Sequence, residues 1–119
     1  MDIKVLASGS TGNAYRISDG ETSLLLDAGI PLKAIQVGLN FKVSQIQGCF
    51  VTHSHQDHSK AAKDLMRLGV DIYTSKGTID ACGLTGHRAH QIKGLEEIQV
   101  GTFKVLPFDV QHDAPEPLG

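Results

Sequence analysis

The segment "VTHSHQDHSK", Val51 to Lys60, sets His53, His55, Asp57 and His58 directly after an apolar run. At the end of a strand, residues two apart project to the same side, so His53 and His55 can bring two imidazole nitrogens to one cation. Asp57 and His58 follow where the chain bends into a helix and can offer ligands at a neighbouring point. Neutral imidazole is a common nitrogen ligand for zinc, and a carboxylate adds an anionic oxygen. The chemistry such a donor set prepares is hydrolysis by a metal-activated water whose pKa falls to about 7. Nitrogen and carboxylate donors also accept Mn²⁺ or Fe²⁺. The bland reading is a solvated polar loop, since histidine, serine and aspartate all suit turns. Four potential ligands at this spacing beyond a buried strand favour the metal.

The remaining elements are read by what they must position. Ile3–Ala7 is β-prone and stops at "SGSTGN", a glycine-rich turn that leads into a second strand, Ala14–Ser18. After the turn "SDGE", Thr22–Gly29 reads as a strand whose consecutive leucines suit burial on both faces, with Asp27 at its end. Pro31 opens a helix with Leu32, Ile35 and Leu39 on one face, ending near Asn40. Cys49–Val51 is a core strand feeding the histidine loop. Ser59 is expected to cap a helix that buries Ala62, Leu65 and Met66, with Leu68 as a further candidate, and stops at Gly69. "VDIYTS" returns as a strand and Lys76–Cys82 as a short helix. "GLTGHRAHQIKG" is the least regular part, and "EEIQVGTFKVLPFDV" reads as two strands turning at Gly101. The fold class is therefore α/β with a mixed sheet.

The chain has 119 residues, formal net charge −2 and pI near 6.3. That length suits one domain, residues 1–119, which hides roughly two-thirds of its unfolded surface. The charge balance announces neither nucleic acid nor an anionic membrane. No apolar run reaches membrane-spanning length and the first residues do not read as a signal peptide, so a cytoplasmic protein is expected. Cys49 and Cys82 lack metal-motif spacing and are expected to be reduced core thiols. The last strand is expected to present an uncovered edge.

His-x-His-x-Asp-His after an apolar strand resembles the signature of the metallo-β-lactamase-fold hydrolases, here His53, His55, Asp57 and His58. Asp27 resembles the early strand-end aspartate that orients the metal site, and His112 the third metal-binding motif. "LASGSTGN" and "HDAPEP" are most similar to a bacterial and phage branch of DNA exonucleases connected with the cell-wall regulatory pathway. The resemblance implies an αβ/βα sandwich of which this chain matches the N-terminal half. It implies two zinc ions per complete site: His53, His55 and His112 on the first, Asp57 and His58 on the second, with Asp57 also orienting the attacking water. A bridging aspartate and a final histidine belong to a C-terminal half not represented here, so one metal is the expectation for this chain. A second copy, or the complementary half, is expected to cover the exposed sheet.

Other residues are weighed beside these. "SGSTGN" could cradle a phosphate with backbone N–H groups, or be a plain hairpin turn; Ser8, Ser10 and Asn13 are its candidate substrate contacts. Lys60 lies near enough to meet an anionic substrate, although lysines here also suit a solvated helix face. His87 and His90 have helix-face spacing among helix-weakening glycines and read as solvated side chains or substrate contacts. The functional expectation is phosphodiester hydrolysis on DNA. The alternatives are thioester or lactam hydrolysis on the same fold, or a non-catalytic half-domain that binds metal or a partner.

Overall fold

The computed structural model describes residues 1–110 and 117–119, so His112 and most of "HDAPEP" lie outside the described residues. Strands β1 (Asp2–Ala7), β2 (Ala14–Ser18) and β3 (Ser23–Leu26) form an antiparallel meander. From β3 the sheet continues in parallel through β4 (Ile46–Phe50), β5 (Ile72–Thr74) and β6 (Ala89–Gln91), in the spatial order β1-β2-β3-β4-β5-β6. Helices α1 (Leu32–Gly38), α2 (Gln56–Ser59), α3 (Ala62–Arg67) and α4 (Lys76–Cys82) make the connections, with one 3-10 turn at Val43–Gln45. Strands β7 (Ile98–Val100) and β8 (Phe103–Val105) pair only with each other among the described strands, turning at Gly101, whose φ of 58° is left-handed. The expected mixed sheet is present.

Successive strand residues face opposite ways, and the sequence uses both faces. Leu25, Cys49 and Ile72 point into a core shared with Ile35, Leu39 and Leu65. Leu24 and Phe50 point the other way, into a second cluster with Ile92, Val100 and Leu118. Leu24 and Leu25 are both fully buried, as consecutive leucines in a two-sided strand require. On the second face Phe50 stacks on Tyr73 at 5.0 Å between centroids, and Tyr73 on His90 at 4.8 Å, a ladder in register across three parallel strands. Burial, then the neighbouring Asp71 charge, raises the Tyr73 pKa. Ile3 and Val5 on β1 stay exposed. No helix among the described residues is long and apolar enough to cross a membrane.

Four local expectations are corrected. β3 ends at Leu26, because Asp27 adopts a left-handed φ of 62° that turns the chain. Ser59 does not cap a helix: the first turn already runs from Gln56, and the Ser59 hydroxyl donates to the Ser54 and His55 carbonyls at 2.9 and 3.0 Å. The helix expected after Ser59 begins only at Ala62, behind the separate turn α2, and the Ala61 N–H between them is taken by the Ala28 carbonyl at 2.8 Å. "GLTGHRAHQIKG" contains β6, and His90 lies on that strand instead of a helix face. β8 pairs on one side with β7 among the described strands. The last pair forms a hairpin, leaving β1 and β6 at the borders of the main sheet.

The β7–β8 turn docks on the turn between β2 and β3. The Thr102 amide donates to Thr22 Oγ1 at 2.8 Å, and the Thr102 hydroxyl donates to the Asp19 carboxylate. Asp19 also accepts the amides of Glu21 and Thr22 at 2.9 and 2.8 Å. These bonds, Thr102 first, lower its pKa from 3.8 to about 2. The folded state therefore binds this proton less readily than the unfolded chain. The contribution is fully present above about pH 3.8 and is lost as pH falls through about 2. Thr102→Val should raise the Asp19 pKa and reduce the difference in urea midpoint between pH 5 and pH 2; carbonyl NMR titration and urea unfolding read the two effects. An Asp19 pKa unchanged in the variant would contradict the assignment.

Candidate metal centre

Three loops at the carboxyl ends of β1, β3 and β4 converge, and backbone hydrogen bonds tie them together. The Asn13 amide donates to the Asp57 carbonyl at 2.8 Å, the Ala28 amide to the His58 carbonyl at 2.8 Å, and the Gly29 amide to the Asn13 carbonyl at 2.9 Å. The approach is so close that a Cβ on Gly29 would overlap the Asp57 carbonyl and crowd the His58 nitrogen. Glycine is required there by space. Gly12 is crowded similarly by Ile30 and the Gly29 carbonyl.

On this platform His53, Asp57 and His58 bring one ligand atom each within 4.8 Å of one another, the one such group among the described residues. The rings of His53 and His58 lie 3.9 Å apart, centre to centre, and His58 Nε2 is 3.5 Å from Asp57 Oδ2. His55, at the N-cap of α2, places its ring edge-on to His53 at 5.1 Å, next to the group and outside it. The structure thus gathers His53 with Asp57 and His58, where the resemblance divides them between two metals.

Asp27 is buried beneath the histidines and is surrounded by donors. His58 Nδ1 donates to Oδ2 at 2.6 Å, the Thr52 amide donates to Oδ1 at 2.8 Å, and the Thr52 hydroxyl lies 3.0 and 3.1 Å from the two oxygens. An ionised carboxylate only accepts, so the hydroxyl proton points to Asp27. The Thr52 oxygen is then left to accept from His53 Nδ1, 2.9 Å away. One carboxylate therefore sets both rings, His58 directly and His53 through Thr52. With Nδ1 protonated, each neutral ring carries its lone pair on Nε2, the nitrogen that would coordinate a metal. The site's residues fit divalent-cation binding on this ground: two oriented imidazoles and a carboxylate bring ligand atoms within 4.8 Å of one another.

Asp27 accepts from His58, and Thr52, which the sequence reading passes over, links it to His53. A hydroxyl next to the motif carries no spacing signal, and its function depends on a carboxylate 25 positions earlier. Asn13 braces the site: its Nδ2 reaches the Gly9 and Asp57 carbonyls at 2.8 and 3.1 Å and lies 3.4 Å from His58 Nε2. Ser8 accepts from the Tyr15 hydroxyl at 3.0 Å, and Ser10 and Lys60 are exposed. Cys49 sits behind the site; burial, then the Asp27 charge, pushes its thiol far up, which makes it an inert core residue.

A family model described as the metallo-beta-lactamase superfamily matches residues 7–74, the stretch from the end of β1 through β5 that builds this platform. The chain belongs to the metallo-beta-lactamase superfamily. It is 33% identical over 127 residues to a Bacillus anthracis protein named exodeoxyribonuclease YycJ, covering 99% of this chain and 48% of that one. It is 29% identical over 124 residues to exodeoxyribonuclease WalJ of Streptococcus pneumoniae, covering 95% and 46%. Among solved structures, a metallo-beta-lactamase of Cronobacter sakazakii superposes with a TM-score of 0.81 at 12% identity, over 98% of this chain and 53% of the other. That likeness shows the superfamily fold. The chain spans about half the length of the relatives it matches.

Asp27→Asn separates charge from geometry, because asparagine also tolerates the left-handed backbone. Its zinc affinity should fall by about 10–100-fold with the melting curve cooperative, measured by competition with a chromogenic chelator. Thr52→Val should weaken zinc binding in the same direction while Thr52→Ser restores it. Unchanged affinity in Asp27→Asn would contradict the assigned role. Gly29→Ala should cost about 1–3 kcal/mol of stability by urea unfolding, through the overlap with the Asp57 carbonyl.

Proposed function

We propose that this chain carries the metal-binding machinery of a cytoplasmic zinc-dependent nuclease that hydrolyses phosphodiester bonds of DNA. The observation that supports it most is the match to exonuclease-named relatives over nearly the whole chain, on residues that include a converging His-Asp-His group. Thioester and lactam hydrolysis rest on the fold alone.

In this reading His53, His55 and His112 would hold one metal, and Asp57 and His58 would contribute to a second. Zinc suits the nitrogen-rich set, and Mn²⁺ or Fe²⁺ are compatible with it. When bound, a metal supplies Lewis acidity and an acidified water at neutral pH. The chain's residues do the rest. Asp27 and Thr52 hold two imidazoles in one tautomer, so no reorientation is needed when a metal enters. Asp57, partly exposed beside His58, can accept a hydrogen bond from the attacking water and aim it at phosphorus. Water's oxygen bonds to phosphorus and gives up a proton, the ester P–O bond breaks, and the departing alkoxide takes up a proton to leave as a hydroxyl. Lys60, exposed just beyond the motif, can meet substrate charge, and Ser8 and Ser10 are kept as contacts on the opposite loop. Exposed Ile3 and Val5 support the further proposal that a second copy or a complementary half covers this face.

The purified chain with added Zn²⁺ or Mn²⁺ should cleave single-stranded DNA and leave a thioester and a chromogenic lactam intact. Removing a ligand should cost more than losing an outer partner does, so His53→Ala or Asp57→Asn should lower cleavage by more than about 100-fold. A chelator should abolish it and added zinc restore it. Cleavage of the lactam or thioester in preference to DNA would contradict the proposal, and inactivity on all three would point to a non-catalytic metal-binding domain.

A further inference from the structure

Two clefts run away from the metal-site loop on the helix side of the sheet and share one residue, Lys63. The first, about 180 Å³, begins at Ser54, Gln56 and Ser59 of the metal-site loop and is flanked by Lys60 and Lys63. The second, about 350 Å³, continues from Lys63 past Arg67 to His87 and Arg88. The two clefts meet at Lys63 and carry basic side chains along this trough, and Ser54, Gln56 and Ser59 at one end are chain neighbours of the candidate ligands.

Lys63 and Arg67 are four apart on α3 and both exposed, so their charges repeat on one helix face at about 6 Å of rise. A stacked single strand advances about 3.4 Å per nucleotide, so this spacing matches alternate phosphates. Each arginine uses one terminal nitrogen on a carboxylate: Arg67 Nη1 on Asp64 at 3.0 Å and Arg88 Nη1 on Asp71 at 2.9 Å. Guanidinium has five N–H donors, so the pairs orient the forks and leave donors for a phosphate. With Lys60 and Lys63 the bases outnumber those two acids, in a chain whose formal net charge is −2. The rim is formed partly without side chains. Gly83 and Gly86 both have positive φ; a Cβ on Gly83 would sit 3.3 Å from Lys63 Nζ, and at Gly86 one would meet open space. A ligand backbone can therefore come close.

We infer that this trough, with Lys60, Lys63, Arg67 and Arg88, is the track along which the phosphate backbone of a single DNA strand is held as it leads into the metal centre. The inference rests on the nuclease reading and adds to it a binding surface for the strand beyond the bond that is cut. Attraction here is to charge and not to bases, so the track would be indifferent to sequence and sensitive to salt.

The test compares the intact chain with Lys63→Gln/Arg67→Gln, in zinc, on a labelled phosphorothioate single strand that keeps its charge and resists cleavage. Each phosphate contact contributes about 0.7 to the salt slope, so the double variant should bind about tenfold more weakly near 0.1 M salt and show a slope flatter by about 1.4. Zinc-dependent hydrolysis of bis(p-nitrophenyl) phosphate, too small to reach the trough, should stay within about twofold. Lys104→Gln, which removes one positive charge from the β7–β8 hairpin, should leave DNA binding unaltered. Equal affinity and slope in the double variant, an equal loss in Lys104→Gln, or binding to phosphatidylserine vesicles but not to DNA would overturn the inference. Failure of the wild-type chain to hydrolyse the small diester would instead count against the nuclease reading, leaving the binding result to judge the track.

Discussion

A buried carboxylate must be surrounded by donors, and Asp27 finds its donors on residues of the candidate metal centre. The Thr52 amide and hydroxyl and the His58 ring all point at it. Because an ionised carboxylate can only accept, the direction of each proton follows, and with it the nitrogen on which His53 and His58 present a lone pair. The left-handed backbone at Asp27 ends β3 and turns its carboxylate beneath the β4 loop. Local conformation, burial and ligand orientation are thus one constraint.

The sheet supplies the rigidity that constraint needs. Parallel strands β3, β4 and β5 end together, and their loops are bonded to one another instead of to solvent. The price of that closeness is side-chain volume: Gly29 leaves room for the Asp57 carbonyl, and Gly12 for the Gly29 carbonyl. The same packing diverts the Ala61 amide to Ala28 and separates α2 from α3. The first of these is a single turn carrying Asp57 and His58, whose position is therefore set by the neighbouring loop more than by helix propensity.

What could be read beforehand followed from locality. The His-x-His-x-Asp-His pattern, the consecutive leucines of β3 and the glycine turn between β7 and β8 each carry their signal within a few residues. β6 did not, because Ala89–Gln91 is short and lies among glycine, arginine and histidine; it is extended because β5 offers a parallel edge and because His90 stacks on Tyr73. Ser59 carried a misleading signal: a serine before an apolar-periodic run looks like a cap, yet its hydroxyl donates back to two carbonyls. Thr52 was silent because its role exists only once Asp27 is folded beneath it. Asp27 itself was legible as a strand-end residue, and its partners were legible only by resemblance.

The central claim is that Asp27 presets the metal-facing nitrogens of His53 and His58 before any metal arrives. Long-range ¹H–¹⁵N correlation NMR of the imidazole nitrogens reads this directly, in the metal-free chain near pH 8 and during a zinc titration. Both rings should be Nδ1–H tautomers without metal, and zinc should shift their Nε2 resonances while Nδ1 stays protonated. An Nε2–H tautomer for either ring, or a zinc shift carried by Nδ1, would contradict the account.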